Sequence, residues 1–236
     1  MELRNVEIKR NFIERTLMSI KDYVRNNKKV VIYSTVSVLT IIIIVVSGII
    51  YYQTEEQNEL AELEQILYEY KVNNESKEGD ESKSLKKTID RLKNLINSSY
   101  WGFVNNNGYY IIADLYQSEN MVREANEYFL KFVKESPKSF FAPLALKQAG
   151  ILYENIGEYD EAFKIYQRVE KEYRDSIILD EIYYNIGRLY QNKGRLLKAR
   201  EYYNKLIIQY PQSIFIEKAK NRMFLLGYLE KRKIKM

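Results

Sequence analysis

The chain has 236 residues, with 37 Lys/Arg against 32 Asp/Glu and a formal net charge of +5. It contains no Cys and no His, which excludes thiol nucleophiles, disulfides, Cys-borne lipids, the usual zinc ligand sets and histidine general bases. Three Pro and nine Gly are few, as a helical protein requires, and 22 Tyr are many, as helix contacts built on tyrosine would require. The charge is unevenly spread: residues 1–29 hold eight Lys/Arg and four Asp/Glu. A nucleic-acid binder needs a basic face that displaces counterions from phosphates. A basic excess gathered on a short tail is instead a membrane topology signal, and no nucleic-acid partner is expected.

Within the tail, Ile13, Leu17, Ile20 and Val24 recur at helical spacing, with Arg10, Arg15, Lys21 and Arg25 between them. Two readings stay open. The segment is a basic amphipathic helix lying on an anionic inner leaflet, or a cytosolic extension of the helix that follows.

Val30 to Tyr52 is 23 residues without a charge, 14 of them Val, Ile or Leu. As a helix it is about 34 Å long, enough for a bilayer core of about 30 Å. Tyr33 near one end and Tyr51 and Tyr52 at the other suit the two interfaces. Lys21, Arg25, Lys28 and Lys29 precede the stretch, and Glu55, Glu56, Glu59, Glu62 and Glu64 follow it. The positive-inside rule then places the N-terminus in the cytoplasm and residues 53–236 outside it. The apolar run is too long for a signal-peptide core and no A-x-A-like site follows, so an uncleaved single-pass anchor is expected. Ser34, Ser37 and Thr40 lie within the span without a GxxxG pattern. Bonding of their hydroxyls to their own helix backbone is expected.

Residues 53–105 form a post-membrane region. Leu60 to Tyr70 reads as a helix, 73–84 (NNESKEGDESKS) as a polar loop or disordered linker, and 85–98 as a second helix. Leu92 and Leu95 fall 37 residues before Phe129 and Phe132, so the two helices are read as a worn repeat.

The clearest signal is self-similarity at an offset of 37 residues. Ala113, Gly150 and Gly187 correspond, as do Tyr116, Tyr153 and Tyr190; Asn120, Gly157 and Gly194; and Ala125, Ala162 and Ala199. Phe129, Tyr166 and Tyr203 follow, then Pro137, Arg174 and Pro211, then Ser139, Ser176 and Ser213. In the middle copy Leu146, Gly150 and Tyr153 share one face of a first helix. Tyr159, Ala162, Tyr166 and Val169 share one face of a second. Gly157 sits where a left-handed C-cap is wanted, and Asn120 is the next-best residue for it. The small residues allow close helix approach, and the tyrosines fill the gaps. Pro137 and Pro211 mark the exits of second helices, and the three serines stand where an N-cap is expected for the next helix. Ile214 to Leu229, with Phe215, Ala219, Met223 and Leu226, reads as a capping helix. It is followed by Lys231, Arg232, Lys233 and Lys235.

The pattern of Gly/Ala, Tyr three later, Gly seven later, Ala twelve later, an aromatic at sixteen and Pro at twenty-four resembles the tetratricopeptide-repeat (TPR) family over residues 106–213. Tyr109, Leu146 and Tyr183 stand where Trp is common, Arg174 replaces Pro, and the period is 37 rather than 34. The resemblance implies a solenoid of antiparallel helix pairs, which with the transmembrane helix before it and 214–236 as cap and basic tail makes an all-α fold. It also implies a concave groove lined by the first helices that takes proteins or peptide segments. The groove positions carried over are Tyr110, Asp114 and Gln117; Lys147, Ile151 and Glu154; and Tyr184, Arg188 and Gln191. Two exposed tyrosines with mixed charge are expected there. The Lys/Asn set by which TPR clamps hold a terminal carboxylate is absent, since Tyr110 and Asp114 stand in its first-repeat places.

No enzyme, cofactor or metal is expected: the sequence has no HExxH, P-loop or Rossmann fingerprint. The whole layout resembles the ancillary subunit of the SecYEG translocon, a bacterial inner-membrane protein. That resemblance implies a periplasmic, chaperone-like role near the translocon, with exported segments as clients. The alternatives are an outer-membrane-assembly or cell-division TPR factor, or a structural scaffold of an envelope complex. The oligomeric state is left open.

Overall fold

The computed structural model describes the backbone of residues 2–75 and 81–233 and the side chains of 12–75 and 83–227. Ten helices account for nearly all of it: α1 (Glu2–Asn26), α2 (Lys28–Glu75), α3 (Glu81–Ser98), α4 (Gly102–Ser118), α5 (Val122–Glu135), α6 (Ala142–Asn155), α7 (Tyr159–Glu172), α8 (Leu179–Asn192), α9 (Leu196–Gln209) and α10 (Ile216–Lys233). They fall into two units, Met1–Asn58 and Glu59–Met236.

In the first unit, helical bonding carries through Asn27, whose N–H donates to the Tyr23 carbonyl and whose own carbonyl accepts from Val31 N–H. Ile13, Leu17, Ile20 and Val24 are exposed. Helix α2 is long and apolar enough to cross a membrane, and none of its most apolar window is buried against the rest of the chain. A core helix of a water-soluble domain would bury that window. Ser34 and Thr35 both donate to the Val31 carbonyl and Thr40 donates to that of Val36. These hydroxyls satisfy themselves on the preceding turn, whereas the Ser37 hydroxyl makes no such bond.

In the second unit, Leu63, Ile66 and Tyr70 of α2 pack with Leu85, Ile89, Leu92, Leu95 and Ile96 of α3 and with Val104 and Ile112 of α4. The polar stretch 73–84 is less of a loop than its composition suggests. Helix α2 runs to Glu75 and α3 starts at Glu81, while 76–80 lie outside the described residues. Tertiary contacts hold the end of α2, since the Tyr70 hydroxyl and the Asn74 amide both donate to the Glu119 carboxylate.

From α4 onward the helices pair as α4–α5, α6–α7 and α8–α9, each pair antiparallel across a short turn. The turns have a common construction. The N–H of Glu158 donates to the Tyr153 carbonyl and that of Gly157 to the Glu154 carbonyl. The same two bonds recur at Met121/Tyr116 and Asn120/Gln117, and at Arg195/Tyr190 and Gly194/Gln191. This is the Schellman arrangement, which needs a left-handed residue just past the helix. Gly157 and Gly194 supply it at φ +79° and +69°, and Asn120 at φ 56°. Ala125, Ala162 and Ala199, and the rings of Phe129, Tyr166 and Tyr203, have no exposed surface. Tyr159, expected on the buried face of its helix, is exposed.

The serine N-caps are a correction. The residues in cap position are Phe141 and Ile178, and neither helix has a side-chain cap bond. Ser139, Ser176 and Ser213 instead open a preliminary turn, in which their carbonyls accept from Ala142, Leu179 and Ile216. The Ser139 and Ser213 hydroxyls accept from Phe141 and Phe215 N–H within that turn. The extra residues of the 37-residue period lie in this turn, which moves each serine three residues ahead of its helix. Helix α10 closes the stack, with Ala219 and Leu226 buried against it. The basic side chains from Lys231 onward lie outside the described residues.

Candidate protein-binding groove

The nine expected groove positions lie on the three first helices α4, α6 and α8, and four of them, Lys147, Glu154, Arg188 and Gln191, already hold polar partners within the stack. Lys147 pairs with Glu181 of the next first helix, Nζ to Oε2 3.0 Å. Glu154 pairs with Arg188 of the next first helix at 2.7 Å and also accepts the Tyr166 hydroxyl at 2.8 Å. Gln191 accepts the Tyr203 hydroxyl at 3.0 Å. The two ion pairs link the second repeat to the third, and the two tyrosine hydroxyl bonds tie the helices of one pair together. Glu181 and the two tyrosine hydroxyls were not singled out in the sequence.

The expectation of two exposed tyrosines is overturned. The Tyr110 ring packs edge-on to Phe129 and Phe132, with centroids at 5.3 and 5.4 Å, and tilts against Phe141 at 5.9 Å. The Tyr184 ring stacks on Phe215 at 5.5 Å and lies 5.9 Å from Tyr203. Both are half-buried because the preliminary turn of the following repeat delivers an aromatic onto them. Burial, then the nearby Asp114 carboxylate, raises the Tyr110 pKa. Asp114 itself is exposed, and Ile151 is half-buried.

Gln117 breaks the pattern. It is the first-copy counterpart of Glu154 and Gln191, and its Oε1 is buried without a hydrogen-bond partner. The cause is one register position away: Phe129 stands where Tyr166 and Tyr203 carry a hydroxyl. Matching positions 37 residues apart expose this gap once the O–H···O bonds of the other two copies are known.

Burial raises the pKa of Tyr166 and Tyr203, and for Tyr166 the Glu154 carboxylate adds to it. An unfolded tyrosine titrates at about 10. Below that pH both states keep the phenol proton and the full stability is present. Above it the unfolded chain sheds the proton first, so stability falls by about 1.4 kcal/mol per pH unit for each such tyrosine. The melting temperature is therefore expected to drop steeply between about pH 10 and 11. Tyr203→Phe should make that drop shallower, and an unchanged slope would show that Tyr203 is not its source.

Antiparallel pairs in strict register, left-handed turn residues and small-on-aromatic packing define this region as a TPR-type α-solenoid. Comparison with known proteins gives the same class. Residues 108–139 and 145–176 match one tetratricopeptide-repeat family model, and residues 180–211 match a second. The chain thus carries three tetratricopeptide repeats, one on each helix pair from α4 to α9. Similar solved structures include BtubC (BKLC) from P. vanneervenii, at 12% identity over 70% of this chain and 72% of that one, with TM-score 0.50. MamA is 21% identical over 66% of this chain and 94% of that one, with TM-score 0.42. A Podosopora anserina putative kinesin light chain is 12% identical over 73% and 90%, with TM-score 0.49. No curated protein sequence matches the chain. Tetratricopeptide repeats are protein-interaction modules whose stacked first helices present an extended surface.

Proposed function

We propose that this chain is a membrane-anchored TPR module that holds protein segments and carries out no chemistry of its own. In this reading one span holds it in a bacterial inner membrane, with the N-terminus in the cytoplasm and the repeats in the periplasm. Its role is that of a chaperone-like ancillary factor near the protein-export translocon. The observation that carries the reading is the pairing of two features in one chain. One is a 23-residue uncharged stretch flanked by Lys/Arg before and Glu after; the other is three TPR repeats between residues 108 and 211. The repeat surface supports binding of extended segments, with Asp114 and Ile151 among the residues of the groove face that retain accessible side chains.

The test is photo-crosslinking in intact cells from residues replacing Asp114 and Ile151, which keep the aromatic packing of Tyr110 and Tyr184 untouched. Adducts with translocon subunits or with exported chains in transit are the expected result. Adducts confined to outer-membrane-assembly or septal proteins would overturn the translocon assignment. For orientation, a reporter active only in the cytoplasm, fused after Met236, is expected to be silent.

A further inference from the structure

We propose that one edge of the repeat stack docks on the lipid surface of the membrane that the span enters; this rests on the membrane anchoring proposed above. The edge is made by the connections that lead from each second helix to the next first helix. Consecutive connections adjoin. Ser136 donates to the Asn106 carbonyl at 3.1 Å, the Tyr173 hydroxyl to the Pro137 carbonyl at 3.0 Å, and Ser213 to the Asp180 carboxylate at 2.6 Å. Residues 137–140, Pro143 and residues 172–177 line one shared surface cleft.

Along this edge a large apolar side chain stands outward at the same register position in each copy. Phe103 is 41% exposed, Phe140 64%, Ile177 72% and Ile214 83%, each 37 residues after the last. Tyr100 and Trp101 extend the row at its start. Isolated exposed apolar residues are ordinary on a soluble surface, but a row repeated in register along one edge marks an interaction surface. The next residues in register face the core more than the outward row does: Ile178 is buried, Phe215 packs on Tyr184, and Phe141, still 41% exposed, packs on Tyr110.

Chain length favours lipid over a soluble partner. The Ser99 hydroxyl, beside Tyr100 and Trp101, donates to the Glu59 carboxylate at 2.7 Å. Glu59 follows Tyr52, the last residue of the uncharged stretch, by seven positions. Even fully extended, that length of chain spans only about 25 Å, so the start of the row is held close to the headgroups by covalent geometry alone. Tyr and Trp are the residues that settle at such an interface, with the ring in the acyl boundary and the polar tip in water. Lys138 and Arg174 are exposed on two of the connections beside the acids Glu135, Glu172 and Asp175, so the edge carries mixed charge and it is the apolar row that favours lipid.

The composition of the chain supplies the test. Trp101 is its only tryptophan, and with no Cys any single cysteine can be labelled alone. The full-length chain is incorporated into phosphatidylcholine–phosphatidylglycerol vesicles. Trp101 fluorescence is then read with acyl-brominated lipid as quencher. Nitroxides at Phe140→Cys, Ile177→Cys and Ile214→Cys report contact with lipid, with Leu197→Cys, exposed at the opposite edge, as control. Docking predicts quenching of Trp101 and lipid contact at all three edge labels but not at the control. It also predicts that Phe140→Ser, Ile177→Ser and Ile214→Ser together lower the quenching about twofold. Quenching of Trp101 with the labels at Ile177 and Ile214 in water would show tethering alone and overturn the docking. Water exposure at every label with dipolar coupling between chains would assign the edge to a second copy and overturn it too. A chain that does not enter the vesicles overturns the anchor reading itself, and the docking with it.

Discussion

Gly150→Ala is expected to lower the stability of the repeat region by about 2 kcal/mol, as an overpacked core does, read from a denaturant midpoint at constant slope. The sign is informative, because alanine in a helix interior ordinarily gains about 1 kcal/mol over glycine. A Cβ at Gly150 would sit 2.4 Å from Tyr166 Cε1 and 2.8 and 2.9 Å from its Cζ and Cδ1. At Gly187 the corresponding contacts with Tyr203 are 2.7, 2.8 and 3.1 Å. These rings are fully buried and cannot step aside without stretching the hydroxyl bonds to Glu154 and Gln191. The first copy already holds the paired change, Ala113 with Phe129, which has no hydroxyl to keep in place. Tyr166→Phe should accordingly cost less in the Gly150→Ala background than alone. The converse is that Phe129→Tyr in an Ala113→Gly background gives Gln117 Oε1 its missing donor and gains about 1 kcal/mol. A Gly150→Ala protein as stable as the parent would show that the ring yields freely, and the packing argument would be wrong.

The second large effect is expected at Glu154. Its side chain is only 9% exposed and that of Arg188 28%. Glu154→Ala strands both the Arg188 guanidinium and the Tyr166 hydroxyl in a poorly hydrated site. The expected loss is about 2–3 kcal/mol, below the cost of breaking a fully buried pair because Arg188 keeps some water. Arg188→Ala should cost less, since Glu154 retains the tyrosine donor. A double-mutant cycle on the pair should return a coupling of about 1–2 kcal/mol. Additive single effects would reduce the pair to a surface contact. The same numbers bear on binding, because a loss of ligand after Glu154→Ala must be separated from loss of fold. Asp114 and Ile151 are the cleaner probes of the groove.

The helix pairs were legible in the sequence because the packing rule within a pair is local. A small residue, an aromatic sixteen later and a Gly or Asn between them are all read along one strand of sequence. The left-handed turn at Asn120 could be inferred for the same reason, since few other residues tolerate that backbone. The serines were misplaced because a cap and a preliminary turn use the same residue type, and only the backbone path separates them. Tyr110 and Tyr184 were misjudged because what covers them, Phe141 and Phe215, arrives from the next repeat.

By itself, the sequence determined the repeat, its period, its turns and an uncharged stretch of spanning length, because these follow from periodicity and backbone sterics. Only the tertiary structure decided which groove charges are spent on one another, that Gln117 lacks the tyrosine donor its counterparts have, and which edge presents its apolar side chains to solvent. Each of those depends on which atoms a neighbouring helix brings within a few ångströms. A 37-residue register aligns the copies without saying which atoms of one copy meet which atoms of the next.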